Sequence, residues 1–335
     1  MVINSIAKMK VFTNRVLPEK VFQKLQDDGI IVTEWLGQRE LTPDEFITYA
    51  QEADGIMLMA GMKINADILQ QCKNLKVISL HSVGFDNVDI ETATKLGIAI
   101  GHTPDVLSKA TADAAFLLML ATSRKAFFHH KRALKGEWKS YGDTSELLGI
   151  DIEGKTLGIF GLGSIGYEMA KRSKNAFGMD ILYHNRSTNE KAEKELGARK
   201  VSFEELLEQS DVISVHANLT PETKEVFNAS AFAKMKPNAI FVNVARGGIH
   251  NEADLKAALD NKTIWGAGLD VTNPEPMAID NPLLDMLNVS VLPHIGSAVK
   301  ETRDAMMELM VGNLLAGLKG EQLPKCVNPE VYKKQ

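Results

Sequence analysis

The stretch Lys155-Thr156-Leu157-Gly158-Ile159-Phe160-Gly161-Leu162-Gly163-Ser164-Ile165-Gly166 decides the fold. An apolar run rich in strand formers meets Gly-x-Gly-x-x-Gly, and a helical pattern, Tyr167-Glu168-Met169-Ala170-Lys171-Arg172, follows at once. Strand, glycine turn and helix in that order form the context of a dinucleotide-binding turn. Each glycine has a separate task. Gly161 permits the tight turn, Gly163 lets the backbone approach a pyrophosphate, and Gly166 lets the helix pack close to the strand. The helix start then offers unpaired N–H groups and partial positive charge to phosphates. A glycine-rich turn alone is common; the flanking strand and helix give this one its meaning.

Outward from that turn, the chain alternates strands and helices. Before it lie strand-like runs at Lys10-Val11-Phe12, Ile30-Ile31-Val32, Gly55 to Met59, Lys76 to Leu80 and Ile98-Ala99-Ile100. Helix starts fall between them at Pro18, Thr42 and Asn65. After it come Met179 to Tyr183, Asp211 to Val215, Ala239 to Val244, Trp265 to Leu269 and Val289 to Leu292, and Ser202 with Glu205 reads as a capping box. Such alternation implies α/β architecture with doubly wound parallel sheets. The turn sits mid-chain, so a domain precedes it. The expected division is a Rossmann cofactor domain at 104–298 and a flavodoxin-like, discontinuous substrate domain at 1–103 and 299–335, with a cleft between them. A long helix is expected over about Asp105 to Ser123. The arm from Arg124 to Trp138, with Phe127, Phe128 and Trp138 read as exposed, suggests a subunit contact and a homodimer.

The 335 residues suffice for about two domains. Apolar residues at 44% and charged residues at 24% are ordinary for a globular protein, and a net charge of −5 without a basic tract disfavours nucleic acid and anionic membranes as partners. Cys72 and Cys326 have no metal-ligand spacing. Two reduced thiols, no export-signal core at the N-terminus and no long apolar run predict a cytoplasmic protein.

The end of the second strand after the glycine turn indicates which nucleotide binds. NAD-preferring sites usually carry a carboxylate there for the ribose hydroxyls. Here the strand runs into Tyr183-His184-Asn185-Arg186-Ser187-Thr188, with no carboxylate. A carboxylate repels a 2′-phosphate, whereas a guanidinium and a hydroxyl bind one. The expected cofactor is therefore NADP, held by Arg186 with Asn185 and Ser187 assisting; the plainer alternative makes Arg186 a solvent-facing loop charge.

A nicotinamide cofactor implies hydride transfer, which needs a proton donor, an electrophilic clamp and a group to tune the donor. Arg246 follows one strand in Val244-Ala245-Arg246-Gly247-Gly248, Glu275 lies in Asp270-Val271-Thr272-Asn273-Pro274-Glu275-Pro276, and His294 lies in Leu292-Pro293-His294-Ile295-Gly296-Ser297. Singly they could be a surface ion-pair residue, a turn carboxylate and a satisfied histidine. Together they fall at the carboxyl ends of parallel strands, where open sheets bind ligands.

These motifs in this order resemble the D-isomer-specific 2-hydroxyacid dehydrogenase family. The resemblance extends to His81-Ser82-Val83-Gly84-Phe85-Asp86-Asn87-Val88-Asp89 and Leu219-Thr220-Pro221-Glu222-Thr223, so it covers nearly the whole chain. Within the family, Thr103-Pro104-Asp105-Val106-Leu107 and the segment around Glu275 are most similar to glyoxylate/hydroxypyruvate reductases and the 2-ketogluconate reductases grouped with them. The resemblance implies NADPH-dependent reduction of small 2-oxoacids to D-2-hydroxyacids. His294 is then the general acid, Glu275 orients its imidazole, and Arg246 binds the carbonyl and carboxylate of the substrate. Main-chain N–H groups of Val83 and Gly84 receive the carboxylate, and Ser297 is a further substrate contact. Ser164 and Ile165 face the pyrophosphate, Pro221 the adenosine side, and Val244, Ala245, Asp270 and Gly296 the nicotinamide, with Thr111 as an added contact. Leu58, Met59 and a neighbouring subunit's Trp138 arm would wall the pocket. Asn218 stands where the family often has Pro.

Two other readings compete. One is an NAD-dependent relative of the formate or D-lactate type; the formate pattern carries an amide where this chain has Glu275. The other is a non-catalytic NAD(P)H-sensing protein of the same fold, although such proteins usually carry long disordered tails.

Overall fold

The structure, a computed structural model, describes residues 8–59, 61–138 and 145–333. The N-terminal segment read for an export signal lies, through residue 7, outside the described residues. The chain divides into two compact units, one of Met1–Leu107 with Lys300–Gln335, the other of Ser108–Val299.

The first unit holds strands β1 (Lys10–Thr13), β2 (Ile31–Glu34), β3 (Gly55–Leu58), β4 (Val77–Leu80) and β5 (Ala99–Gly101). They form one parallel sheet in the order β2-β1-β3-β4-β5. The central strands β3 and β4 are buried at every position, as expected where both faces are covered. One cover is the helix Lys300–Leu318, which reaches the sheet through small residues. A Cβ on Gly317 would stand 2.5 Å from Val77 Cβ, and one on Gly55 would stand 2.8 Å from Leu314 Cδ1. Buried polar groups lock this helix in register: Ser79 Oγ donates to the Met310 carbonyl at 2.8 Å, and Asn313 Nδ2 donates to the His102 carbonyl at 2.9 Å.

The second unit holds β6 (Thr156–Phe160), β7 (Asp180–His184), β8 (Arg199–Lys200), β9 (Val212–Val215), β10 (Ile240–Asn243), β11 (Gly266–Leu269) and β12 (Val289–Val291). Its parallel sheet runs β12-β11-β10-β9-β6-β7-β8. The strand order reverses between β6 and β9, the position at which open α/β sheets bind nucleotides. One core face is aromatic. Phe227 packs 5.2 Å from Phe160 and 5.0 Å from Phe241, and Phe232 stands edge-on to Phe241 at 5.4 Å. Such pairs add about 0.5–1.5 kcal/mol each beyond their buried area. Ser202 and Glu205 form the expected capping box on the helix Phe203–Gln209.

Two local expectations need correction. The long helix begins at Ser108, because Asp105 takes a positive φ of 70° and makes a turn held to Lys325 at 2.9 Å. Its end at Ser123 is the expected one; Lys125 is left-handed (φ 52°) and caps a separate helix, Ala126–Leu134. On that arm Phe127 and Phe128 are half-buried, Phe128 packing against His129; the strongly exposed apolar residues are Leu134 at 74% and Trp138 at 70%.

Candidate active site

The glycine turn joins β6 to the helix Ser164–Phe177, whose N-cap is Gly163. Gly161 has φ +96°, and a Cβ there would stand 2.5 Å from the Ala217 nitrogen in the loop after β9. A Cβ on Gly166 would lie 2.6 Å from the Gly161 carbonyl and 2.9 Å from Ile159 Cγ2, so helix and strand touch there. Gly163 differs: nothing lies within 4 Å of the space its Cβ would fill. That open position at a helix start, beside the strand-order reversal, fits a dinucleotide pyrophosphate.

Asn185 was expected to assist at the phosphate, but its amide is committed to the turn itself. Its Oδ1 accepts from Leu162 N–H at 2.7 Å and its Nδ2 donates to the Leu162 carbonyl at 3.3 Å, with Asn189 Nδ2 on the same carbonyl at 3.0 Å. Arg186 and Ser187 are exposed just beyond β7. Lys200 donates to the Arg186 carbonyl at 3.2 Å, which places a second cation there. Glu222 faces this group. Thr220, its own backbone N–H and the Arg186 charge hold its carboxyl below the ordinary range. Pro221, beside Glu222, is also exposed.

The other candidates gather at the carboxyl ends of β10, β11 and β12. Arg246 sits on a turn built by buried Asn243, whose Oδ1 accepts from Ala245 N–H at 3.0 Å and whose Nδ2 donates to the Arg246 carbonyl at 2.9 Å. A Cβ on Gly247 would stand 1.9 Å from the Thr272 carbonyl, so only glycine lets this turn press on the next loop. That loop carries Glu275, between the cis peptides Asn273-Pro274 and Glu275-Pro276. Glu275 Oε1 is hydrogen-bonded to His294 Nδ1. Burial pushes the Glu275 carboxyl up, but the His294 hydrogen bond and charge, the Thr272 N–H and the Arg246 charge together hold it below the ordinary range. A carboxylate only accepts, so Nδ1 of His294 carries the hydrogen and Nε2 is the ring nitrogen left for proton exchange.

His294 itself has φ +53°, a strained conformation for an L-residue. Asp270, nearly fully buried, holds it there. The Asp270 carbonyl accepts from His294 N–H at 2.9 Å, and its carboxylate accepts from Ile295 and Gly296 N–H at 2.8 Å each. Burial raises the Asp270 pKa, against the lowering effect of those two N–H groups. A Cβ on Gly296 would lie 3.0 Å from Asp270 Oδ2 and 3.1 Å from Thr111 Cγ2, which brings Thr111 into the same cluster. Val244 is buried, and Ala245 and Ser297 are partly exposed beside it and His294 in sequence. Val83 and Gly84 belong to the first unit, in the loop after β4. Asn243 and Asn189 went unread as site residues; a polar residue closing an apolar strand, as in Ile-Phe-Val-Asn, was the one available signal for Asn243. No cluster of potential metal ligands occurs among the described residues, and none of their helices is long and apolar enough to cross a membrane.

Two parallel-sheet α/β domains, one with a dinucleotide-type glycine turn and a His–carboxylate pair at its strand ends, define a Rossmann-type nucleotide-binding oxidoreductase architecture. The sequence model for the "D-isomer specific 2-hydroxyacid dehydrogenase, NAD binding domain" matches residues 116–296. Glyoxylate reductase from Pyrococcus furiosus is 40% identical over 97% of this chain and 97% of its own. Glyoxylate/hydroxypyruvate reductase B from Yersinia pestis is 42% identical over 87% of this chain and 90% of its own. The crystal structure of an NADPH-dependent glyoxylate/hydroxypyruvate reductase from Sinorhizobium meliloti, in complex with NADP and malonate, superimposes with a TM-score of 0.84 at 30% identity, covering 98% and 99% of the two chains. The chain belongs to the D-isomer specific 2-hydroxyacid dehydrogenases, the family its motifs resemble.

Proposed function

We propose that this protein reduces small 2-oxoacids, glyoxylate and hydroxypyruvate first and 2-ketogluconate as a larger candidate, to D-2-hydroxyacids at the expense of NADPH. The observation that carries this reading is the His294–Glu275 pair, beside Arg246, at the strand ends of the unit that holds the glycine turn. The names of the relatives from Pyrococcus furiosus and Yersinia pestis support the same substrate class.

NADPH, when bound, supplies the hydride to the carbonyl carbon. Gly161, Gly163 and Gly166 with Ser164 and Ile165 hold its pyrophosphate, Arg186 and Ser187 its 2′-phosphate, Pro221 its adenosine side, and Val244, Ala245, Gly296 and Thr111 the other end. Arg246 binds the substrate carboxylate and carbonyl oxygen and offsets the negative charge that grows on that oxygen. As the carbonyl bond becomes an alkoxide, His294 gives it the Nε2 proton and is left as neutral imidazole. Glu275 accepts the Nδ1 hydrogen and fixes the ring; Asp270 holds the strained His294 backbone. Val83 and Gly84 N–H groups take the substrate carboxylate, and Ser297 contacts the substrate near His294. The exposed Leu134 and Trp138 support a homodimer, and the free thiols Cys72 and Cys326 suit the cytoplasm.

The test follows coenzyme absorbance with a panel of 2-oxoacids and both NADPH and NADH. Turnover of glyoxylate and hydroxypyruvate with NADPH preferred is the expected result. Arg186→Ala should raise KM for NADPH by one to two decades, the loss of about 1.5–3 kcal/mol from a charge-assisted hydrogen bond, and leave KM for NADH nearly unchanged. Equal effects on both coenzymes would refute the NADPH assignment, and no turnover of any 2-oxoacid would refute the activity.

A further inference from the structure

The loop after β4 has successive carbonyls tied down. Thr103 N–H donates to the Ser82 carbonyl at 2.8 Å, His102 Nδ1 meets the Val83 carbonyl at 3.0 Å, and Ser82 Oγ donates to the Gly84 carbonyl at 2.7 Å. In a trans peptide the C=O and the following N–H point in opposite directions. Fixing the Ser82 and Val83 carbonyls therefore turns the N–H groups of Val83 and Gly84 to the other side of the chain. There neither of them, nor the N–H of Phe85, meets an acceptor among the described residues. Consecutive N–H groups held in this way form a concave donor set for an anion.

His102 is the one imidazole in this arrangement, and its own place is fixed. Its carbonyl accepts from the buried Asn313 at 2.9 Å, and its ring lies edge-on to Phe85 with centroids 6.0 Å apart. A carbonyl only accepts, so His102 Nδ1 carries a hydrogen. We propose that His102 is a positioning residue: by holding the Val83 carbonyl it aims the Gly84 N–H at the carboxylate of the 2-oxoacid. This rests on the reading that Val83 and Gly84 receive that carboxylate. The carboxylate is bound alike before and during hydride transfer, so loss of aim weakens substrate binding and leaves the chemical step intact.

The experiment compares wild type, His102→Leu, His102→Phe, His102→Asn and Ser82→Ala, each as the full-length protein. It reads kcat and KM for glyoxylate, KM for NADPH, and inhibition by oxalate, an unreactive dicarboxylate. His102→Leu should raise KM for glyoxylate and the oxalate inhibition constant together by about tenfold or more, with kcat and KM for NADPH within about threefold of wild type. His102→Asn should restore both, because its Nδ2 can donate from the place of the imidazole Nδ1. Ser82→Ala frees the Gly84 carbonyl and with it the Phe85 N–H, so it should show at most a smaller rise; His102→Phe, which keeps a ring against Phe85 but cannot donate, carries the test if His102→Leu does not fold. Unchanged KM and oxalate inhibition in His102→Leu, a fall in kcat alone, or no recovery in His102→Asn would overturn the role of His102 while leaving the activity standing. A wild type that reduces no 2-oxoacid would overturn both.

Discussion

His294 pairs its reactive ring with a backbone that is costly to hold. A left-handed L-residue costs on the order of 1–3 kcal/mol and persists only where the surroundings fix it. Asp270 does so with one carbonyl and two carboxylate contacts to three successive N–H groups. Asp270→Ala would leave the Ile295 and Gly296 N–H groups without their carboxylate, a loss of about 1–3 kcal/mol, chiefly from the buried Gly296 N–H, that a urea denaturation curve would register. Glu275 acts on the other side of the ring. Glu275→Gln keeps an acceptor for the His294 Nδ1 hydrogen but removes the negative charge beside the ring, so kcat for reduction should fall by about tenfold or more while KM for NADPH stays near wild type. Stability depends on the same carboxylate. The folded pKa of Glu275 is depressed, so its contribution is present above the ordinary carboxylate value and lost as pH falls through the folded one. The gap in Tm between wild type and Glu275→Gln should therefore close below about pH 4. Arg246, Glu275 and His294 were legible in the sequence because charged residues closing apolar strands stand out. The supporting contacts of Asp270 and Asn185 were not, since each joins turns far apart in sequence; Asn243 works locally, but its side chain gave no sign of which turn groups it would take.

The glycine turn separates the demands of folding from those of binding. Gly161 combines a positive φ with backbone 2.5 Å from its absent Cβ, whereas Gly163 faces open space. Gly161→Ala should lower Tm markedly, by the left-handed penalty and a clash that backbone cannot relieve. Gly163→Ala should leave unfolding within about 0.5 kcal/mol of wild type yet raise KM for NADPH. A similar Tm loss in both variants would contradict this division. Most strands were legible from apolar runs because they lie in the interior of parallel sheets. β8 was not: Arg199–Lys200 is two exposed residues, and its pairing with Leu182 and Tyr183 is made by backbone alone.

At the scale of the molecule, each unit is organised around its own parallel sheet, with its own core clusters. The first is completed by the helix Lys300–Leu318, from the far end of the chain. Calorimetry should resolve two transitions, because two cores of this size need not unfold together. NADPH at a hundredfold excess over its Kd should raise the transition of the second unit by about 5–10 °C, equivalent to about 2.7 kcal/mol of linkage. The central claim is hydride delivery to a 2-oxoacid carbon followed by protonation from His294, and the isotope content of the product tests it most directly. With NADPH carrying deuterium at the transferable position, hydroxypyruvate should become D-glycerate with that deuterium on C2, and His294→Asn should form it at least about a hundredfold more slowly. Unlabelled product, L-glycerate, or an undiminished rate in His294→Asn would contradict the account.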